Sequence, residues 1–134
     1  MIALNHVATV MVVDDCKDIC TLIKILLCRV GYHVLTATNG TEALRLARTT
    51  PEIDLLLANL GLPGMCGDEL AGHFSGIHPS AAVVFVTNFE YESAPAPFAT
   101  LVKPFDSADL RATVRRALRN RRACAETVLA ASAA

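Results

Sequence analysis

Five short apolar runs, each stopping at a polar residue and each separated from the next by a longer connecting stretch, constrain this chain more than anything else in it. VATVMVV (7–13), HVLTA (33–37), DLLLAN (54–59), AAVVFVT (81–87) and TLV (100–102) read as strands. Between the first two, residues 15–30 carry a 3.6-residue apolar rhythm that Gly31 ends. The predicted buried stripe of that helix centres on Ile19, Leu22, Leu26 and Val30, with Ile23 beside it. Asn39, with Glu42 at the third helical position, opens a second helix, and Pro51 lies just past its end. A short helix fits 67–75, and Asp106 with Asp109 opens a last one from 107 to about 122. Strands alternating with helices predict an α/β fold, a five-stranded parallel sheet doubly wound by right-handed crossovers.

At 134 residues the chain can bury one core without metal or disulfide staples. Its 53% hydrophobic and 19% charged content excludes a disordered chain. No apolar run reaches membrane-spanning length, and MIALNHVATVMVVDD has neither a charged leader region nor a small-residue cleavage site; a cytoplasmic, non-membrane protein is expected. Five cysteines, an odd number with no CxxC pair, point to reduced structural thiols. Cys16 and Cys20 lie a helical turn apart, too few ligands for a metal, and His6, His33, His73 and His78 show no ligand or relay spacing.

The net charge of −1 hides a split, −6 over residues 1–110 and +5 over 111–134. RATVRRALRNRR (111–122) forms a basic stripe that could meet nucleic acid. It contains no aromatic residue, however, and Ala112, Val114, Ala117 and Leu118 give it a buried face. A solvated helix face is expected, with nucleic-acid binding the lesser alternative.

In doubly wound sheets, functional groups gather beyond the carboxyl ends of the strands. Here those ends present Asp14-Asp15, Asn59, Thr87 and Lys103-Pro104. Adjacent carboxylates repel, and a hard divalent cation relieves the repulsion. A hydroxyl and an ammonium opposite them can hold an anionic oxygen. The set suits Mg²⁺ with a phosphoryl group. A nucleotide- or flavin-binding enzyme is disfavoured, because the loop after the first strand reads DDCKD rather than a glycine-rich phosphate cradle.

VMVVDD, DLLLANLGLPGMCG, VVFVT and LVKPF occur in an order and spacing that resemble the receiver domains of bacterial two-component response regulators, over roughly residues 7 to 122. The resemblance implies a flavodoxin-like receiver fold with strand order 2-1-3-4-5 and a non-enzymatic role in phosphorelay signal transduction. It implies that Asp14 and Asp15 are the acidic pair, with Asp15 a direct Mg²⁺ ligand, and that Asn59 and the Gly61 carbonyl complete the metal set. Thr87 would follow the phosphoryl group, Lys103 would be its cationic partner, and Lys103-Pro104 would be cis. A sensor histidine kinase or phosphotransfer protein is the implied partner.

The departures from that pattern are informative. Asn59 falls four residues before Pro63, where receivers carry the phosphate-accepting aspartate. An amide oxygen can ligate Mg²⁺ but is no nucleophile towards phosphorus and carries no charge, so metal binding should be weak or absent. Asp54 cannot substitute, lying five residues back along the strand, roughly 16 Å at about 3.3 Å per residue. NFEYESAPAPF (88–98), with Pro95 and Pro97, is too short and broken for the helix receivers fit there, so a shortened or missing fourth helix is expected. Thr100 stands where an aromatic switch residue is usual. The reading is a pseudo-receiver, with a receiver domain over 1–122 and a tail or helix extension over 123–134. The alternative, Asn59 as an engineered change from Asp, would make it a conventional Mg²⁺-dependent phospho-accepting receiver. Without a cation, Lys103 should reach Asp14 or Asp15. A partner surface is expected on the outer side of the first helix, at Asp18, Thr21, Ile25, Cys28 and Arg29.

Overall fold

The computed structural model describes residues 6–88 and 99–133, with side chains through Arg121. Five parallel strands, β1 (Thr9–Val13), β2 (His33–Ala37), β3 (Leu55–Asn59), β4 (Ala82–Asn88) and β5 (Ala99–Lys103), form one sheet in the order β2-β1-β3-β4-β5. Among the described residues four helices cover it: α1 (Lys17–Arg29), α2 (Gly40–Thr49), α3 (Gly67–Ile77) and α4 (Ser107–Ala133). The expected architecture and strand order are those observed. The stretch 89–98, where a fourth helix was expected to be shortened or missing, lies outside the described residues.

Alternation along the strands builds two cores. Met11, Val13, Leu56, Ala58 and Phe85 face one way and pack with Leu44, Leu70 and Phe74 of α2 and α3. Val10, Val12, Leu55, Leu57, Val84 and Val86 face the other way, onto Ile23 and Leu27 of α1 and Leu110 and Val114 of α4. Both faces of the sheet are therefore dry, as near-continuous apolar strands require.

The helix ends follow their chemistry. Asn39 accepts the Glu42 N–H through Oδ1 at 2.8 Å, and Glu42 reaches back to the Thr38 N–H. Asp106 accepts the Asp109 N–H at 2.7 Å, opening α4. At the end of α1, Gly31 adopts φ +98°, its N–H bonds to the Cys28 carbonyl and that of Tyr32 to Leu27, a Schellman close.

Two sequence expectations need correction. The buried stripe of α1 is Cys20, Ile23 and Leu27, with Ile19 and Leu26 packed at its flanks, whereas Leu22 and Val30 are 51% and 46% exposed. Cys20 is a small apolar side chain suited to the close approach of α1 to the sheet, and giving it the core position rotates the face away from Leu22. The last helix does not end near 122 but continues to Ala133. Residues 123–133 are rich in alanine and free of glycine and proline, so nothing in them stops a helix.

Candidate functional site

The site is assembled where β1, β3, β4 and β5 end together. Register aligns Val13 with Ala58, Asn59 with Val86, and Asn88 with Lys103, so the polar residues just beyond share one edge of the sheet. Asp14 and Asp15, equivalent in the sequence, are separated by the fold. Asp14 is buried and Asp15 exposed. The Asp14 N–H continues the ladder to the Ala37 carbonyl, which turns its side chain inward. Its Oδ1 accepts the Cys16 N–H at 2.9 Å and its Oδ2 accepts Lys103 Nζ at 3.1 Å. The expected contact of Lys103 with the acidic pair is present, and Lys103-Pro104 is cis.

Asn59 lies between the remaining groups. Its Nδ2 donates to Asp15 Oδ1 at 3.3 Å, and its Oδ1 accepts the Gly61 N–H at 3.3 Å. Thr87 is buried, with its hydroxyl donating to the Asn88 carbonyl at 3.0 Å. The loop carrying Asn59 is held from beneath by Gly67, whose N–H bonds to the Leu60 carbonyl at 2.9 Å. A Cβ at Gly67 would lie 2.6 Å from the Asn59 carbonyl oxygen, so only glycine permits this approach.

A model of the response regulator receiver domain matches residues 10–115. The chain belongs to that family. The receiver is 31% identical over 122 residues to the transcriptional regulatory protein KdpE of Mycobacterium tuberculosis, covering 87% of this chain but only 54% of KdpE. It therefore spans about half the length of that relative. It is also 31% identical over 107 residues to the response regulator receiver protein CpdR of Brucella abortus, covering 75% of this chain and 88% of CpdR. Among solved structures, a receiver domain from Clostridium thermocellum superposes with a TM-score of 0.75 at 28% identity, covering 88% of this chain and 99% of that one. The chemotaxis protein CheY4 of Vibrio cholerae gives 0.75 at 27% identity, covering 84% and 99%.

Receiver domains are signalling modules that interact with sensor kinases and other signalling proteins, and they generally bind Mg²⁺ at an acidic pocket. Tested against that cation, the residues present fit only in part. Asp15 offers an exposed carboxylate, but Asp14 is engaged by an ammonium and a backbone N–H. The amide nitrogen of Asn59, rather than its oxygen, faces the Asp15 carboxylate.

The expected partner surface is on the outside of α1. Asp18, Thr21, Ile25, Cys28 and Arg29 are all exposed. Beside it, Ile19, Leu22 and Ile23 meet Asn88, Lys103, Pro104 and Phe105 around a groove of about 470 Å³. Leu22 belongs to this apolar surface, which the misplaced stripe had hidden.

A second polar cluster, at the opposite end of the sheet, escaped the sequence reading. Asp54 is fully buried before β3, where Oδ2 accepts the Thr9 N–H at 2.8 Å and Oδ1 accepts Arg121 Nη1 at 3.1 Å. His6 Nε2 lies 3.2 Å from Asp54 and 3.7 Å from Glu52. His6, Glu52 and Asp54 bring potential ligand atoms within 4.8 Å of one another, but Arg121 makes the group an ion-pair network. Its signal was available: Arg121 continues the Leu110, Val114, Ala117 face of α4, and His6 and Asp54 precede neighbouring strands. The basic stripe is thus not wholly a solvated face. Arg115, Arg116 and Arg119 are exposed, while Arg121 turns to the sheet.

Proposed function

We propose that this receiver accepts no phosphoryl group at Asn59 and acts as a protein-binding module in two-component signalling. The observation that carries the reading is the amide at the end of β3. Asn59 occupies the position the family uses for its acceptor aspartate, and its side chain has no carboxylate to attack phosphorus. The other polar residues at the strand ends support the reading. In this reading Asp14 and Asp15 are the acidic pair, and Thr87 and Lys103 would have to leave the Asn88 carbonyl and Asp14 to meet an oxyanion. Asp14, Asp15, Asn59 and Gly61 would hold Mg²⁺ weakly, which would supply charge neutralisation in the pocket.

Recognition would fall to the outer face of α1. Ile25 is 45% exposed with Asp18, Thr21, Cys28 and Arg29 around it, an apolar centre with a polar rim suited to a helical partner such as a sensor kinase or phosphotransfer protein.

The test is phosphotransfer from a small phosphodonor with Mg²⁺, read by intact mass. The wild-type chain should gain no hydroxylamine-labile adduct, and Asn59→Asp should gain one, because Asp14, Asp15, Thr87 and Lys103 are retained. A labile adduct mapping to residues 55–61 of the unaltered chain would overturn the reading.

A further inference from the structure

Three of the acidic pocket's four carboxylate oxygens are already hydrogen-bonded to the chain's own donors. Of the four carboxylate oxygens of the acidic pair, Asp14 Oδ1 takes the Cys16 N–H, Asp14 Oδ2 takes Lys103, and Asp15 Oδ1 takes the Asn59 amide. The orientation of that amide is dictated by its neighbours. The Gly61 N–H is a donor and the Asp15 carboxylate an acceptor, so the amide pairs with both when Oδ1 faces Gly61 and Nδ2 faces Asp15, as it does. An amide satisfies both sides at once, which a carboxylate cannot.

We propose that Asn59 is a built-in counter-group to the acidic pair, joining the β1–α1 loop at Asp15 to the β3–α3 loop at Gly61 in place of a divalent cation. The pocket then keeps one arrangement whether or not Mg²⁺ is present. The inference concerns the same pocket as the proposed function and rests on it in taking that pocket as the family's cation site.

The geometry shows why the substitution of one group matters. With Asp at position 59, a carboxylate oxygen would stand about where Nδ2 now lies, close to Asp15 Oδ1, and like charges so near demand a cation. With Asn, no such demand exists. A cation that takes the Asn59 oxygen as a ligand in the family's manner has to displace Nδ2 from Asp15 and turn the amide round, which takes the acceptor from the Gly61 N–H. The bridge is also well founded, since Gly67 packs against the Asn59 backbone and Ala58 beneath it is fully buried.

Thermal melts with and without millimolar Mg²⁺ distinguish this from an ordinary cation site, because a ligand bound only by the native state raises Tm. Wild-type Tm should not move with Mg²⁺, and the Gly61 amide resonance should stay in place during a Mg²⁺ titration. Asn59→Asp should melt about 3–6 °C lower in chelator and regain that loss with Mg²⁺. If that variant fails to fold in chelator, refolding in Mg²⁺ should rescue it, and no rescue would count against the proposal. Equal Mg²⁺ stabilisation of both proteins, or an Asn59→Asp chain as stable in chelator as the wild type, would overturn it. These results are independent of the phosphodonor mass measurement, so the two readings can fail separately.

Discussion

Cys66 shows how one residue's chemistry is set by its immediate neighbour. It caps α3 from an exposed position, and its thiol donates to Asp68 Oδ1 at 2.8 Å. That hydrogen bond to the carboxylate holds the thiol above its ordinary range and the Asp68 carboxyl below its own. A raised thiol pKa means less thiolate at any pH below it, and only the thiolate is reactive. Asp68→Ala should therefore speed alkylation of Cys66 at pH 8 several-fold, measured by mass mapping of labelled peptides. An unchanged rate would mean that the bond does not govern reactivity. The sequence supplied the expectation of a free thiol at this position but not its partner. For the site as a whole, the residues were legible because strand ends in a doubly wound sheet converge. Their division of labour was not, since nothing in the pair Asp14-Asp15 reveals which carboxylate turns inward.

At the level of elements, α1 separates two kinds of apolar residue. Ile23 is buried against the sheet, while Ile25, two positions on, is exposed. Ile25→Glu should change stability by no more than about 0.5 kcal/mol, and should abolish capture of a partner that docks on α1. Ile23→Ala should cost about 2–5 kcal/mol through the cavity it leaves. Denaturant midpoints for both check the assignment, and comparable losses would place Ile25 in the core. The helix itself was legible from its period and its closing Gly31. Its face was not, because Ile19, Leu22, Leu26 and Val30 fit the period nearly as well as Cys20, Ile23 and Leu27. A cysteine counted as a thiol rather than as core filler tips that choice the wrong way. Burial pushes the Cys20 thiol up in pKa, consistent with an inert core role, and its Sγ–H donates to the Asp14 carbonyl at 3.3 Å.

Across the whole molecule, the two ends of the sheet hold their charges differently. The carboxyl end gathers a half-open polar pocket, while the amino end seals one carboxylate, Asp54, beneath a strand start and a helix. Arg121 connects that carboxylate to α4, fixing the helix against the sheet fourteen residues after Ser107, about 21 Å along its axis. With the Arg121 side chain 19% exposed and that of Asp54 1%, the pair is mostly shielded from water. Removing the guanidinium would leave a buried carboxylate with the Thr9 N–H and a half-exposed His6 for partners. Arg121→Met should therefore destabilise the fold by about 2–4 kcal/mol, somewhat less than breaking a fully enclosed pair. Asp54→Asn on that background removes the stranded charge while keeping an acceptor for Thr9. The double variant should be less destabilised than the sum of the two single ones by at least about 1 kcal/mol, read from urea midpoints with unchanged slopes. Additive losses would mean that Arg121 and Asp54 act independently, and the end of the sheet would then not be what anchors the last helix.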